Sequence, residues 1–96
     1  MLIITSTYIT DMTQVEPHRK AHEEWVMKYI DKGTFLFAGP KKDKSEGVIV
    51  AKSIDEELLS VILSEDSHLQ AGVVEVQIGA LDSLLTQQEF KRLRRD

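Results

Sequence analysis

Six patterned segments in the order β-α-β-β-α-β constrain this chain more than any other feature of it. Residues 2–10 (LIITSTYIT) are crowded with β-branched and aromatic types, which suit a pleated, half-buried surface. After the polar stretch 11–16, Pro17 suits the first turn of a helix, where its missing N–H would be unbonded anyway. Over residues 17–32 the spacing is helical: Ala21, His22, Trp25, Val26, Tyr29 and Ile30 share one face, and Gly33 supplies the stop. Residues 34–38 (TFLFA) read as a short strand closed by Gly39 and Pro40. A charged connection over 41–46 leads to the next strand, 47–52 (GVIVAK). Ser53 and Glu56 have capping-box spacing and open a helix expected to bury Leu58, Leu59, Ile62 and Leu63. Residues 66–71 form a turn, and 72–78 (GVVEVQI) a strand with Val74, Val76 and Ile78 on one side.

This order predicts an α+β, ferredoxin-like protomer: a four-stranded antiparallel sheet with both helices on one face. The other face would carry Val73, Glu75 and Gln77 of the last strand. A half-apolar face is costly to leave in water, so a homodimer packed sheet on sheet is expected. Residues 1–81 make the domain and 82–96 a C-terminal helical tail. A second capping box runs from Thr86 to Glu89, and Leu84, Leu85, Phe90 and Leu93 of the tail need a surface to dock on.

Ninety-six residues suffice for one domain and one core. With no cysteine, disulfides, thiol nucleophiles and thiolate zinc sites are excluded. A net charge of −4 lacks the basic stripe that nucleic acid requires, and the basic run 91–95 reads as a solvated helix end. The N-terminus has no basic region before its short apolar run, and nothing approaches the ~20 apolar residues of a membrane span. A cytoplasmic protein without nucleic-acid or membrane partners is expected. No Gly-rich phosphate loop and no G-x-S-x-G elbow occurs, and no cofactor is expected.

Two polar residues stand out against this apolar frame. His22 lies on the inward stripe of the first helix, and Asp66 follows the second helix, six residues before Gly72. An imidazole, with its ordinary pKa near ~6.5, suits proton transfer at neutral pH, and a carboxylate can orient it. The plainer alternatives are a core histidine bonded to a backbone carbonyl, and an aspartate that forms an Asx-turn or caps the loop leading to Gly72. His18 and His22 are spaced i, i+4, and with His68 could be considered as metal ligands. They lack the glutamate of His-Glu-x-x-His, and Arg19 and Lys20 lie between them, so no metal is expected. Trp25, Tyr29, Phe35 and Phe37 read as core.

The order and spacing of Ala21-His22, Gly33, Ala38-Gly39-Pro40, Gly47 and Asp66 before Gly72 resemble the YciI-like (YCII-related) family of the dimeric α+β barrel superfamily. The resemblance covers residues 1–81. It implies a ferredoxin-like protomer whose open sheet face pairs into a dimeric α+β barrel. It also implies a histidine–aspartate pair, here His22 and Asp66, as the catalytic groups of a small-molecule cleft. Gly39 and Pro40, shaping the pocket, and His68 are expected to contact the substrate. Some relatives are linked to lactone or dehalogenation chemistry. The chain departs from the family's Asp-Pro-aromatic run, reading Asp66-Ser67-His68, which loosens the turn and makes the pocket wall more polar. The expected function is a lyase- or isomerase-type proton transfer. The alternative is a non-catalytic homodimeric module that binds a small ligand.

Overall fold

The structure, a computed structural model, describes residues 1–82 and 84–95. Strand β1 (Leu2–Tyr8) leads to a short helix α1 (Met12–Val15), a 3-10 turn (Glu16–His18) and helix α2 (Arg19–Asp31). Strands β2 (Phe35–Pro40) and β3 (Glu46–Ala51) form a hairpin. Helices α3 (Glu56–Ser64) and α4 (Ser67–Gln70) then lead to β4 (Val74–Ala80). The sheet has the order β2-β3-β1-β4, antiparallel throughout. This is the ferredoxin-like α+β arrangement that the segment order predicts, with the helices on one face.

The register decides which side chains meet the helices. Ile4 stands opposite Ile49 on one side and Ile78 on the other. Because side chains alternate along a strand, this row lies on the helix-covered face while Ile3, Thr5, Val48 and Val50 lie on the open one. The core forms where the covered face of β1, β2 and β3 meets α2 and α3, around Ile4, Trp25, Tyr29, Phe35, Ala51 and Ile62. Phe35 is the largest fully buried side chain, with ring centroids 5.3 Å from Trp25 and 5.5 Å from Tyr29. A smaller cluster of Val15, Val73 and Val74 seals the other end.

Several local expectations are corrected. The first helical region starts early: Asp11 caps α1 through Thr13 N–H, and Pro17 lies in the 3-10 turn, where it cannot supply the N–H a continuous helix would need. Ala21 is exposed. The cap of α3 is Asp55, which accepts from Leu58 N–H at 2.7 Å. Ser53 instead takes a hydrogen bond from the Met1 ammonium. Leu58 is exposed on the outer side of α3. Gly39 and Pro40 do not close β2 but belong to it, opposite Val48 and Gly47, and proline is tolerated there because β2 is an edge strand. An irregularity between Phe35 and Phe37 turns Phe37 out to 59% exposure. Val73 packs with Val15 beneath the helices instead of standing on the open face, and Ile78 is about half exposed.

Of the tail, the described residues carry a 3-10 helix, Gln88–Arg95, with Leu85 and Phe90 exposed. Ser83 and Asp96, which the expected tail includes, lie outside the described residues. Among the described residues no helix is long and apolar enough to cross a membrane.

Candidate active site

The corner between α3 and α4 positions Asp66. The Asp66 N–H closes α3 onto Leu63 carbonyl, and the backbone then turns extended at φ −71, ψ 124. From there the carboxylate caps α4: Oδ1 accepts the His68 N–H at 3.1 Å. The loop aspartate of the sequence reading is therefore a helix N-cap, which accounts for its position after α3. The same Oδ1 lies 2.7 Å from Nδ1 of His22. Asp66 is only 2% exposed, so its desolvation must be offset, and two N–H donors on one oxygen do this.

Three contacts pin α2 to this corner. Ser67 Oγ donates to His18 carbonyl at 2.9 Å, one turn before His22. Trp25 Nε1 donates to Ile62 carbonyl at 3.0 Å. Tyr29 hydroxyl donates to the Glu65 carboxylate, at 2.7 and 2.8 Å to its two oxygens, and Lys28 joins it at 2.9 Å. The Lys28 and Tyr29 hydrogen bonds hold the Glu65 carboxyl below its ordinary range, so it stays ionised in this clamp. The separation of His22 and Asp66 is thus fixed by packing between elements as well as by their own bond.

Facing a carboxylate that can only accept, Nδ1 of His22 is the donor, and in the neutral ring Nε2 is then the atom with the lone pair. That Nε2 has no hydrogen-bond partner among the described residues, and the His22 side chain is 21% exposed where it borders a cleft. His68 stacks on His22, with centroids 4.0 Å apart and planes inclined by 9°, and the Tyr8 ring meets His68 edge-on at 5.9 Å. His68 is 2% exposed, and its Nε2 is buried without a partner among the described residues.

Burial, and after it the neighbouring His22, push the His68 pKa below its ordinary 6.5. Below the unfolded value the unfolded chain takes up a proton that folded His68 resists, so stability should fall as pH drops through and below about 6.5. Urea unfolding between pH 7.5 and 5 checks this: His68→Phe should show a shallower decline than wild type. An equal decline in the two proteins would contradict it.

The cleft, about 660 Å³, lies between the α1–α2 region and the covered face of β1, β2 and β3. Val26, Met27, Ile30 and Ile49 supply apolar wall, while His22, His68, Gly39 and Pro40 also border it. All five residues singled out from sequence therefore meet at one place, four on the cleft and Asp66 directly behind His22. Sequence reasoning missed Tyr8, Lys44 and the Ser67 and Glu65 clamps. Tyr8 could have been found by alternation from Ile4, since both face the helices; the others depend on contacts between distant segments and left no local signal.

The His18–His22–His68 grouping does not form among the described residues. His22, Asp66 and His68 do place ligand atoms within 4.8 Å of one another. Two parallel rings 4.0 Å apart cannot both aim an in-plane lone pair at one ion ~2.0–2.1 Å away, so this arrangement does not suit a metal.

Fold and site together define a ferredoxin-like α+β protein with a histidine–carboxylate pair beside a mostly apolar cleft. The sequence matches no family model and no curated protein sequence. Among solved structures the chain is similar to 5-chloro-2-hydroxyhydroquinone dehydrochlorinase (TftG) from Burkholderia phenoliruptrix AC1100, in complex with 2,5-dihydroxybenzoquinone. The TM-score is 0.66, covering 88% of this chain and 96% of that one at 12% identity, a likeness of fold.

Proposed function

We propose that the cleft is the active site of a small-molecule enzyme of the lyase or isomerase type, with His22 as the group that takes and returns a proton. The observation that carries this reading is the 2.7 Å contact of His22 Nδ1 with a buried carboxylate, which leaves Nε2 as the ring's basic atom on a cleft-lining residue. Nε2 would remove a proton from a bound carbon or oxygen acid. Asp66 would hold the ring in that tautomer and balance the imidazolium that forms. Gly39, Pro40 and His68 would contact the substrate, the two strand residues offering a wall without bulky side chains. The similar fold of a dehydrochlorinase that binds a dihydroxybenzoquinone makes hydroxylated quinones sensible first probes.

The test is a thermal-shift screen of hydroxyquinones, lactones and small carboxylates on wild type and His22→Ala side by side. A compound that stabilises wild type and loses most of that effect in His22→Ala is expected. Absence of any shift in either protein would count against the reading. The capping role of Asp66 favours one rival, since it explains the buried carboxylate without catalysis. In that reading the protein is a non-catalytic module that binds a small ligand, and compounds would bind without being altered.

We also propose a homodimer formed through the open sheet face, where Ile3, Val48 and the exposed Phe37 ring stand together. Light scattering at micromolar concentration should return twice the chain mass, and Phe37→Lys should shift it toward monomer. A monomeric wild type would reject this assembly.

A further inference from the structure

We infer that the cleft takes a small organic anion and that Lys44 docks its anionic group. This rests on the reading of the cleft as a His22 proton-transfer site and names the class of ligand it receives. Two cations border the cleft, Arg19 and Lys44. The Arg19 guanidinium is already held by Glu16 at 3.4 Å and Glu23 at 3.2 Å. Lys41, nearby in the same hairpin, pairs with Glu46, and Lys28 pairs with Glu65. Lys44 alone of these has no carboxylate within ion-pair reach among the described residues.

The backbone holds Lys44 in place. It adopts φ 63, a left-handed conformation that is unfavourable for a side-chain-bearing residue and usually falls to glycine or asparagine. The turn that imposes it is closed by Lys44 N–H on the Lys41 carbonyl at 2.9 Å. It is braced by the Asp43 carboxylate, which accepts from Ser45 N–H at 3.0 Å and Ser45 Oγ at 2.6 Å. The turn is tethered to β1 by Tyr8 N–H on the Ser45 carbonyl at 3.3 Å, and the Tyr8 ring in turn meets His68, which stacks on His22. The Lys44 turn and His22 thus border the same cleft and are linked through Tyr8 and His68. The cleft that both border is walled in good part by apolar side chains, Val26, Met27 and Ile49 among them, with Glu16 and Glu23 beside Arg19. An apolar body with one carboxylate or ionised hydroxyl matches that pattern, and an anion beside Lys44 would leave the rest of the molecule against His22.

The experiment uses benzoate and its neutral isostere benzamide as probes, titrated into the full chain and followed by heteronuclear NMR with the histidine ring resonances assigned. Benzoate should bind about fivefold or more tighter than benzamide, the scale of a partly desolvated charge contact. The difference should collapse in Lys44→Gln and return in Lys44→Arg, and benzoate should shift the His22 ring signals. Equal affinities for the two probes, or a preference that survives Lys44→Gln, would overturn the role of Lys44 while leaving the His22 reading intact. A Lys44-dependent preference with silent His22 signals would support the anion site and count against the reading of the cleft as a proton-transfer site.

Discussion

His22→Ala is expected to lower turnover of any substrate of the cleft by about 10²–10⁴-fold, the usual contribution of a positioned acid/base. The ring borders the cleft and is partly exposed, so its loss should leave the fold in place. Asp66 should behave differently, because its one oxygen serves both His22 and the start of α4. Asp66→Ala removes an N-cap, which costs about 1 kcal/mol, and strands partly buried donors, which costs about 1–3 kcal/mol more. Asp66→Asn keeps an acceptor for the cap but removes the charge behind His22. A large loss of turnover is therefore expected in Asp66→Asn at modest cost in stability, and both losses together in Asp66→Ala. Kinetics paired with urea unfolding separate the two. Full activity in Asp66→Asn would show that the carboxylate is structural only.

The second large effect lies in the core. Phe35 is 1% exposed and packs its ring against Trp25 and Tyr29, on the strand that forms one wall of the cleft. Phe35→Ala should destabilise the protein by about 3–5 kcal/mol, through lost transfer energy and the cavity left behind. For a small domain whose whole stability is about 5–15 kcal/mol, much of the chain should then unfold in mild denaturant. A loss below about 1.5 kcal/mol, measured from the shift in urea midpoint, would mean that the site collapses around the smaller side chain or that Phe35 is less central than its burial implies.

The strands and helices were legible because their signals are local. The β-branched run from Leu2, the helical stripe through Trp25 and Tyr29, and the apolar run after Gly47 each carry their own period. The boundaries were less legible where two caps compete. Ser53 has the right spacing for a capping box, yet Asp55 sits closer to the first turn and a carboxylate accepts more strongly, which leaves Ser53 to the Met1 ammonium. Phe37 looked like core because an apolar strand gives no hint of the irregularity that turns it outward. At the site, His22 could be placed from the helix stripe alone. Its pairing with Asp66 is one of two readings the residues allow, and the family resemblance favours it, since a contact across forty-four residues has no local trace. Lys44 and the Tyr29–Glu65 clamp were beyond reach for the same reason. A cation in a charged hairpin looks like any solvated lysine until the turn and the cleft are seen together.

His22, in the proposed reading, moves a proton to and from a bound ligand. The most direct measurement is proton NMR in D2O on 2,5-dihydroxybenzoquinone and related hydroxyquinones, with wild type and His22→Ala run in parallel. Exchange of a ligand C–H for deuterium reports proton abstraction even when the full reaction is unknown. Wild type should accelerate the exchange over buffer, and His22→Ala should return it to the buffer rate. Undiminished exchange in His22→Ala, or no acceleration by wild type of a ligand shown to occupy the cleft, would contradict it.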